Sequence, residues 1–437
     1  MPLDLLLTNG VVILDGIEVK RSVGILSDKI EGVYLPGKEP VAHDTLECAD
    51  CYILPGMVDI HVHLRDLNCS SKEDYESGTM AAAAGGVTTV VDMPNSSPPV
   101  LDADVLDKKM QSARQKRFVN VGFYSGIPMA PEEYDTAMVP SILGFKVYPH
   151  SPLAKGVRFT DNHIRKCMSL ARLHDRPLLF HPDSSSPDSK PRSMDEYFQI
   201  HSCEGEHESA RRFIEAKMAI GGRLHVCHVS CASTARLILE NRAEETLSAE
   251  VTPHHLFLNS GGFSNENGHA KMLPPLRSPY DNEALLTMLC GKCAIDCVAS
   301  DHAPHTDEEK SAPFLDAASG IPGLETTVPL MLTEVFERRL TWVDYLRVCC
   351  SGPARVLGLK SKGILSRGFD ADLIVVRREE HTIRGHDFFS KAKITPFEGR
   401  RVLGKVVRTI VGGHTVYDNG RFVVGRGVVG SVPVRKY

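Results

Sequence analysis

The most informative part of the chain reads Gly56-Met57-Val58-Asp59-Ile60-His61-Val62-His63-Leu64-Arg65-Asp66. It follows the turn residue Pro55 and begins with apolar residues, which predicts a short buried strand. Because side chains alternate between the two faces of a strand, His61, His63 and Arg65 lie on the same face. Two imidazoles on one face at a strand end favour a shared metal ion over two histidines that only make hydrogen bonds. Arg65, one step further out, is positioned to meet an anionic substrate.

The composition of the chain argues against several classes of partner. It has 437 residues, of which 42% are hydrophobic and 24% charged, and its net charge is -5, which is ordinary for a soluble globular protein. No Lys/Arg-rich tract indicates nucleic acid or an anionic membrane as a partner. No stretch approaches about 18 apolar residues, so we expect no membrane span. The first residues lack the pattern of a signal peptide, so we expect a cytoplasmic protein.

The 12 cysteines are expected to be buried thiols rather than disulfides, because no secretion signal accompanies them. Cys290-Gly291-Lys292-Cys293 resembles half of a zinc knuckle. It lies in a predicted helix, 282–293, and no second cysteine pair follows at a suitable spacing, so we do not expect it to bind a metal.

Beyond the first strand, apolar strands alternate with helical stretches as far as residue 357. The pattern predicts eight strands, near Ile53–His63, Val87–Met93, Val119–Gly126, Ile142–Val147, Pro177–His181, Leu224–His228, Leu247–His254 and Ala294–Asp301. Helical stretches separate most of them, for example 75–84, 102–115 and 161–174. Eight strand–helix units of this kind predict an α/β fold, a (β/α)8 barrel of the TIM type.

The two ends of the chain have a different, β-rich character. Residues 1–54 contain the hairpin signals Asn9-Gly10 and Asp15-Gly16, and residues 358–437 contain Asn419-Gly420. We therefore expect three segments. Residues 55–357 form the barrel, and residues 1–54 and 358–437 pair into one small β-sandwich beside it.

The residues at the predicted strand ends form a consistent set. Active sites of such barrels lie at the C-terminal ends of the strands. These ends carry His61 and His63 on strand one, Lys146 on strand four, His181 on strand five, His228 on strand six and Asp301 on strand eight. Four imidazoles and a carboxylate suit zinc or a similar first-row ion. The tandem pair His254 and His255 on strand seven is not expected to bind, because both rings cannot point at one metal.

Lys146 is the unusual member of this set, because an ammonium group is repelled by metal ions. It fits if carbon dioxide carboxylates its amine, since the resulting carbamate is an anionic ligand that can bridge two metals. The alternative is a lysine in a salt bridge, and spacing alone does not separate the two. Two metals would share a bridging hydroxide, because a metal lowers the pKa of bound water. Asp301 would carry the hydroxide's proton to a leaving nitrogen; its alternative roles are a plain ligand or a helix cap.

Motifs throughout the chain resemble those of the cyclic amidohydrolases in the amidohydrolase superfamily, most closely the dihydroorotase family. They are Pro55–Arg65, Asp92–Pro98, Glu250–His255, Pro274–Arg277, Asp301–His305, Gly320–Thr326 and Lys362–Leu373. The His-x-His pattern alone marks the superfamily. Asp-His-Ala-Pro-His at Asp301–His305, together with Met-Pro-Asn in the second motif, is much narrower. The resemblance covers nearly the whole chain.

The resemblance implies a binuclear zinc site, a substrate and a reaction. By position, two Zn²⁺ ions bridged by a carboxylated lysine and a hydroxide are bound by His61, His63, Lys146, His181, His228 and Asp301. The implied substrate-binding residues are His63, Arg65, Asn95, His305 and Gly320. The reaction is the reversible cyclisation of N-carbamoyl-L-aspartate to dihydroorotate in pyrimidine biosynthesis, with Asp301 as the catalytic acid and base. Arg65, Asn95 and His305 would hold the substrate carboxylate, which a guanidinium binds bidentately. The alternatives are a turn role for Asn95 and a loop role for His305.

Two departures from the family pattern leave other activities open. Leu273 stands where these enzymes often have Asn, and the usual Arg-Pro pair is missing around 201–208. Both leave room for an allantoinase or a hydantoinase, although a neutral hydantoin has no carboxylate for Arg65 to hold. A non-catalytic scaffold is less expected, because the ligand set is intact. Segments 148–156 and 306–319 are candidate lids, and a homo-oligomer or a complex with aspartate transcarbamoylase stays open.

Overall fold

The computed structural model describes residues 2–186, 188–242, 246–262, 268–291 and 294–433. The N-terminal segment contributes five strands to a mixed sheet, namely β1 (Leu3–Leu14), β2 (Ile17–Leu26), β3 (Lys29–Tyr34), β4 (Ala42–Glu47) and β5 (Cys51–Pro55). β1, β2 and β3 form an antiparallel meander. β1 also pairs in parallel with β4 and, between Val11 and Tyr52, with β5.

Only one of the two N-terminal turn signals makes a turn. Asp15 and Gly16 have φ angles of 49° and 78° and connect β1 to β2, as predicted. Asn9, with φ of 59°, instead lies inside β1, where the register with β2 shifts between Leu7 and Gly10. The prediction of a hairpin at Asn9-Gly10 is therefore wrong. A β-bulge and a tight hairpin both need a residue in the left-handed region, so Asn-Gly does not distinguish them.

The barrel consists of eight parallel strands, each paired with the next in chain order. They are β6 (Met57–Val62), β7 (Val87–Asp92), β8 (Asn120–Ser125), β9 (Gly144–Val147), β10 (Leu178–Phe180), β11 (Leu224–Val226), β12 (Leu247–Val251) and β13 (Cys297–Val298). All their residues are buried, as expected for parallel strands covered on both faces. The predicted first strand is divided, because residues 53–54 belong to β5 and the barrel begins at Met57.

The barrel is closed by contacts beyond β13. Val62 at the end of β6 bridges in parallel to His302, and the backbone N–H of His63 donates to the His302 carbonyl at 2.8 Å. The last strand segment therefore returns beside the first. This arrangement confirms the (β/α)8 fold and brings Asp301 next to His61 and His63.

Helices cover the outside of the barrel and connect its strands. They are α1 (Tyr75–Ala84), α2 (Ala103–Lys116), α3 (Asp161–Leu173), α4 (Met194–Ile200), α5 (Cys203–Ile220), α6 (Ala232–Glu240), α7 (Pro253–Phe257), α8 (Pro279–Leu289), α9 (Asp307–Ser311), α10 (Thr327–Phe336), α11 (Trp342–Tyr345) and α12 (Gly352–Leu357). Side-chain caps such as Asp74 on α1 and Thr160 on α3 satisfy their first N–H groups. None of the helices in these described ranges is long and apolar enough to cross a membrane.

The C-terminal segment completes the mixed sheet. Its strands are β14 (Leu373–Thr382), β15 (Arg401–Val411), β16 (His414–Asp418) and β17 (Arg421–Phe422). β14 pairs antiparallel with β5 on one side and with β15 on the other, so both ends of the chain share one nine-stranded sheet. Buried residues from both ends, among them Leu7, Ile53 and Val375, form a core of this sheet. The expected union of the two ends is confirmed.

Candidate active site

The predicted site residues meet at one end of the barrel. His61 lies in β6 and His63 directly after it, Lys146 lies in β9, His181 follows β10, and His228 and Asp301 lie just beyond β11 and β13. A cavity of about 270 Å³ opens here. It is lined by His61, His63, Arg65, Asn95, Tyr148, His150, Ser151, Leu153, His181, His228, Leu273, Asp301, Ala303, His305, Ser319 and Gly320.

His61 and His63 are oriented by hydrogen bonds on the side of each ring that faces away from Asp301. Nδ1 of His61 contacts the buried Glu250 carboxylate, and Nδ1 of His63 bonds the Asn95 side-chain oxygen at 2.7 Å. Both Nε2 atoms converge on one oxygen of Asp301, at 3.3 Å from His61 and 3.1 Å from His63. With each Nδ1–H donated outward, the Nε2 lone pairs are the ones left for a metal.

Asp301 is ionised at neutral pH. Burial opposes its ionisation, but the neighbouring His61 and His63 outweigh it and lower the pKa of the Asp301 carboxyl to about 2. Burial lowers the pKa of His63 to about 4 and those of His181 and His228 well below the ordinary value. His63, His181 and His228 are therefore neutral, which is the form in which imidazole binds a metal.

Lys146 lies in a place that does not suit a lone ammonium group. Its side chain is fully buried, its Nζ lies 2.8 Å from the Cys227 sulfur and 5.0 Å from the centre of the Tyr148 ring. It forms no ion pair with any carboxylate in the described residues, so the salt-bridged alternative is wrong. A buried charge without a partner is costly.

The donor set fits a metal ion of the zinc type. Imidazoles and a carboxylate line one end of the cavity, and nitrogen and oxygen ligands of this kind suit zinc. His61, His63 and Asp301 already hold their ligand atoms within 4.8 Å of one another.

A second group of side chains, in which Arg65 is the cation, lies at the cavity rim. The guanidinium of Arg65 bonds His305 Nε2 at 3.2 Å and the Pro304 carbonyl at 3.3 Å, and forms no ion pair with a described carboxylate. His305 is neutral, because burial and the nearby Arg65 lower its pKa to about 3. The side-chain oxygen of Asn95 accepts a hydrogen bond from Nδ1 of His63, which leaves the Asn95 NH₂ group for a ligand. The structure thus brings together the three residues expected to hold a substrate carboxylate.

Gly320 and Leu273 line the same cavity. Gly320 has φ of 136°, and a Cβ there would lie 2.5 Å from the Ala303 carbonyl oxygen, so only glycine fits. Leu273 presents an apolar side chain to the cavity.

The histidine pair after strand seven is placed differently from the prediction. β12 ends at Val251, and His254 and His255 lie on α7, which begins because Thr252 caps it and Pro253 occupies its first position. His255 bonds Thr252 Oγ1 at 2.8 Å and the Pro274 carbonyl at 3.1 Å, so it is a satisfied core histidine.

Three residues at the site were missed by the sequence argument. Glu250 accepts hydrogen bonds from His61, from His225 Nε2 at 3.1 Å and from the backbone N–H of His228 at 3.2 Å. It is the single acid in the apolar strand β12, and this was the available signal. Tyr148 and His150 line the cavity from the segment after β9, where no spacing pattern marks them.

The cysteines depart from expectation at one pair. Cys203 and Cys231 are joined by a disulfide, with Cα atoms 5.7 Å apart, because the starts of α5 and α6 meet. Their separation of 28 residues gave no sign of this contact. Eight further described cysteines are free thiols: Cys48, Cys51, Cys69, Cys167, Cys227, Cys297, Cys349 and Cys350. The predicted helix 282–293 ends at Leu289, and Cys293 lies outside the described residues.

Comparison with known proteins identifies the family. The model of the amidohydrolase family matches residues 52–416. The chain belongs to the amidohydrolase family. This amidohydrolase is 34% identical to the dihydroorotase of Pyrococcus furiosus over 95% of its own length and 93% of that relative. It is 32% identical to the dihydroorotase of Methanosphaera stadtmanae, over 90% and 91% of the two chains.

A solved structure adds a second enzyme to the comparison. The amidohydrolase superposes on L-hydantoinase (dihydropyrimidinase) from Arthrobacter aurescens with a TM-score of 0.91 and 25% identity, covering 99% of this chain and 100% of that one. The expected resemblance is confirmed, and the protein is a hydrolase acting on cyclic amides. The scaffold alternative is set aside.

Proposed function

We propose that this amidohydrolase is a zinc-dependent dihydroorotase, which interconverts N-carbamoyl-L-aspartate and dihydroorotate with loss or gain of water in pyrimidine biosynthesis. The curated dihydroorotases of similar length support the activity. Within the site, the observation that carries the proposal is the Arg65 guanidinium, which faces the cavity with no described carboxylate as its partner.

Arg65 explains why the substrate should be an anion. Burial lowers the pKa of Arg65, so the protein disfavours the charged guanidinium. An anionic ligand beside it would stabilise that charge. Its fork can bind both oxygens of one carboxylate. The NH₂ of Asn95 adds a second donor beside it. Dihydroorotate and N-carbamoyl-L-aspartate both carry a carboxylate, whereas a hydantoin ring does not.

The metal ions would be held by His61, His63, carboxylated Lys146, His181, His228 and Asp301. Bound zinc would supply a Lewis acid for the ring carbonyl and would lower the pKa of the attacking water. By accepting hydrogen bonds from Nδ1–H of His63 and His61, Asn95 and Glu250 hold the two imidazoles in the tautomer that this requires.

Asp301 is the group that moves the proton. In the hydrolytic direction, water adds to the ring amide carbonyl, the carbon–nitrogen bond breaks, and the ring nitrogen gains a proton. Asp301 accepts the proton from the attacking water, because its carboxylate is ionised at neutral pH, and delivers it to that nitrogen. In the cyclising direction the same steps run in reverse.

A hydantoinase is the second candidate, favoured by the superposition on L-hydantoinase and by the apolar Leu273 at the cavity wall. The test is a paired assay of zinc-loaded protein with dihydroorotate, hydantoin and allantoin, comparing wild type with Arg65→Met. We expect turnover of dihydroorotate alone, and a loss of about 2–5 kcal/mol in transition-state stabilisation (~30-fold or more in kcat/KM) when the buried charge pair is broken.

Lys72→Met is the matched control. Lys72 is another cation at the same rim, but it is already paired with Glu309 at 2.6 Å, so its removal should cost much less. Preference for hydantoin or allantoin, with Arg65→Met as active as wild type, would move the protein to the neighbouring ring amidases.

Assembly and location belong to the same proposal. We expect a cytoplasmic enzyme acting as a homo-oligomer or in a complex with aspartate transcarbamoylase. The native mass of the purified protein, alone and mixed with that enzyme, tests it.

A further inference from the structure

A group of side chains that could bind a metal lies beside the cavity, and only one of its members is among the proposed zinc ligands. It consists of His150, His181 and Asp183, whose ligand atoms lie within 4.8 Å of one another. The rings of His150 and His181 have their centres 4.1 Å apart. Nε2 of His181 lies 3.9 Å from Oδ2 of Asp183, which leaves Nδ1 of the same ring for the two-metal centre. Two of the three residues therefore have no role in the proposed reaction.

The group contains polar atoms that the protein itself does not satisfy. Nδ1 of His150 and Nε2 of His181 are buried without a hydrogen-bond partner among the described residues. Asp183 is 4% exposed, and its ion pairs within the described chain are with histidines, not with a lysine or arginine. Buried polar atoms without partners and a buried carboxylate without a cation are both costly. A single cation among these three side chains would satisfy all of them.

A fourth residue orients the carboxylate. Nδ1 of His201 bonds Oδ2 of Asp183 at 2.7 Å, and the backbone N–H of Ser185 donates to Oδ1 at 2.8 Å. Hydrogen bonds of this kind fix metal-binding carboxylates.

We propose that His150, His181 and Asp183 bind a further first-row transition ion such as zinc, separate from the two-metal centre. The ligands are Nδ1 of His150, Nε2 of His181 and a carboxylate oxygen of Asp183, and water completes the shell. A small closing movement of the side chains brings each atom to about 2.0–2.2 Å from one ion. An imidazole that binds metals through both nitrogens does so as the imidazolate, so loading beside a filled two-metal centre releases one proton from His181. The proposal shares only His181 with that centre.

The test compares zinc content at a fixed, buffered free zinc concentration, measured by mass spectrometry of the metal. The variants are His150→Leu and Asp183→Asn, and the second keeps the shape of the side chain. His386→Ala is the control, because it removes an exposed histidine that does not line the cavity. We expect wild type and the control to hold one zinc per chain more than either variant. His201→Asn should weaken this extra ion by about 10–100-fold.

Equal zinc content in the wild type and in both folded variants would overturn the proposal of a further site. If all three proteins hold two ions per chain, the two-metal proposal is unaffected. If wild type holds only one ion and loses it in both variants, the further site stands and the two-metal proposal fails.

A measurement on the wild-type protein needs no variant. Anomalous diffraction at the zinc edge, from crystals equilibrated with zinc, should give a peak bounded by His150, His181 and Asp183. A map with peaks only among the residues of the two-metal centre would refute the further site.

Discussion

Replacing Glu250 by glutamine should weaken metal binding although Glu250 is not itself a proposed ligand. Glu250 is fully buried. Burial opposes its ionisation, but His61 and His225 outweigh it and hold the pKa of Glu250 well below its ordinary value. As a carboxylate it accepts Nδ1–H of His61 and Nε2–H of His225 together. Glutamine has one acceptor oxygen, so its NH₂ must face one of the two rings.

The size of the effect follows from these contacts. If the NH₂ faces His61, the proton of that ring moves to Nε2, the atom directed at Asp301, and the ring can no longer bind a metal there. Loss of such a partner typically lowers metal affinity about 10–100-fold. One hydrogen bond to a charged group is also lost, which should lower the free energy of unfolding by about 1.5–3 kcal/mol.

The assay is competition for zinc between the protein and a coloured chelator at neutral pH, with urea unfolding as the second measurement. Glu206→Gln is the matched control, because Glu206 is also buried and accepts hydrogen bonds from the Ser230 and Cys231 N–H groups at 3.1 Å. It contacts none of the proposed ligands, so its variant should lose stability and keep its zinc affinity. Wild-type affinity in Glu250→Gln, or an equal loss in Glu206→Gln, would refute the reasoning.

Three further predictions concern stability, shape and access. Burial raises the pKa of Glu325 from 4.5 to about 8, so the folded state keeps a proton that the unfolded state releases. The contribution of Glu325 to stability should therefore be greatest below pH 4.5 and be lost as the pH rises to about 8, by up to about 1.4 kcal/mol for each unit of pKa difference. In urea unfolding the wild type should lose stability relative to Glu325→Gln between pH 5 and pH 8, and a difference that does not change with pH would contradict the prediction. Gly320→Ala should lower both the melting temperature and turnover, by more than Gly37→Ala, whose Cβ meets nothing within 4 Å; equal effects would show that the close approach at Gly320 does not matter. A shortened 148–156 or 306–319 segment should lower turnover without loss of zinc if that segment is a lid, and full activity would dismiss it as one.

The alternation rule was enough to find the first half of the site. His61 and His63 lie two residues apart at a strand end, and both direct Nε2 at Asp301. Arg65 lies beyond the strand, with φ of 55°, and still lines the same cavity. Asp301 was predictable for the same reason, since the last strand must return beside the first when the barrel closes. These positions follow from the period of a strand and the closure of a sheet, both of which can be read from one sequence.

Contacts between distant segments could not be predicted in this way. Glu250 contacts His61 across the barrel interior. Asp183, His150 and His201 come from three different parts of the chain and lie close together in space. The pairing of Cys203 with Cys231 depends on how two helices begin, and nothing in their spacing reports it. Asn9-Gly10 failed for a different reason, because the same backbone conformation serves a bulge and a turn. Three-dimensional packing decides such cases, and a local pattern does not contain it.

The barrel alone does not determine which ring this enzyme opens. Its backbone superposes on a hydantoinase with a TM-score of 0.91, while curated relatives by sequence are dihydroorotases. Both observations agree if the proposed metal ligands lie in or directly after the strands and the substrate contacts lie further along the same segments. Arg65 and His305 lie further along the chain than His63 and Asp301, the proposed ligands after β6 and β13. A change of one guanidinium there can exchange an anionic substrate for a neutral one at no cost to the barrel, and for this reason the substrate is best tested at Arg65.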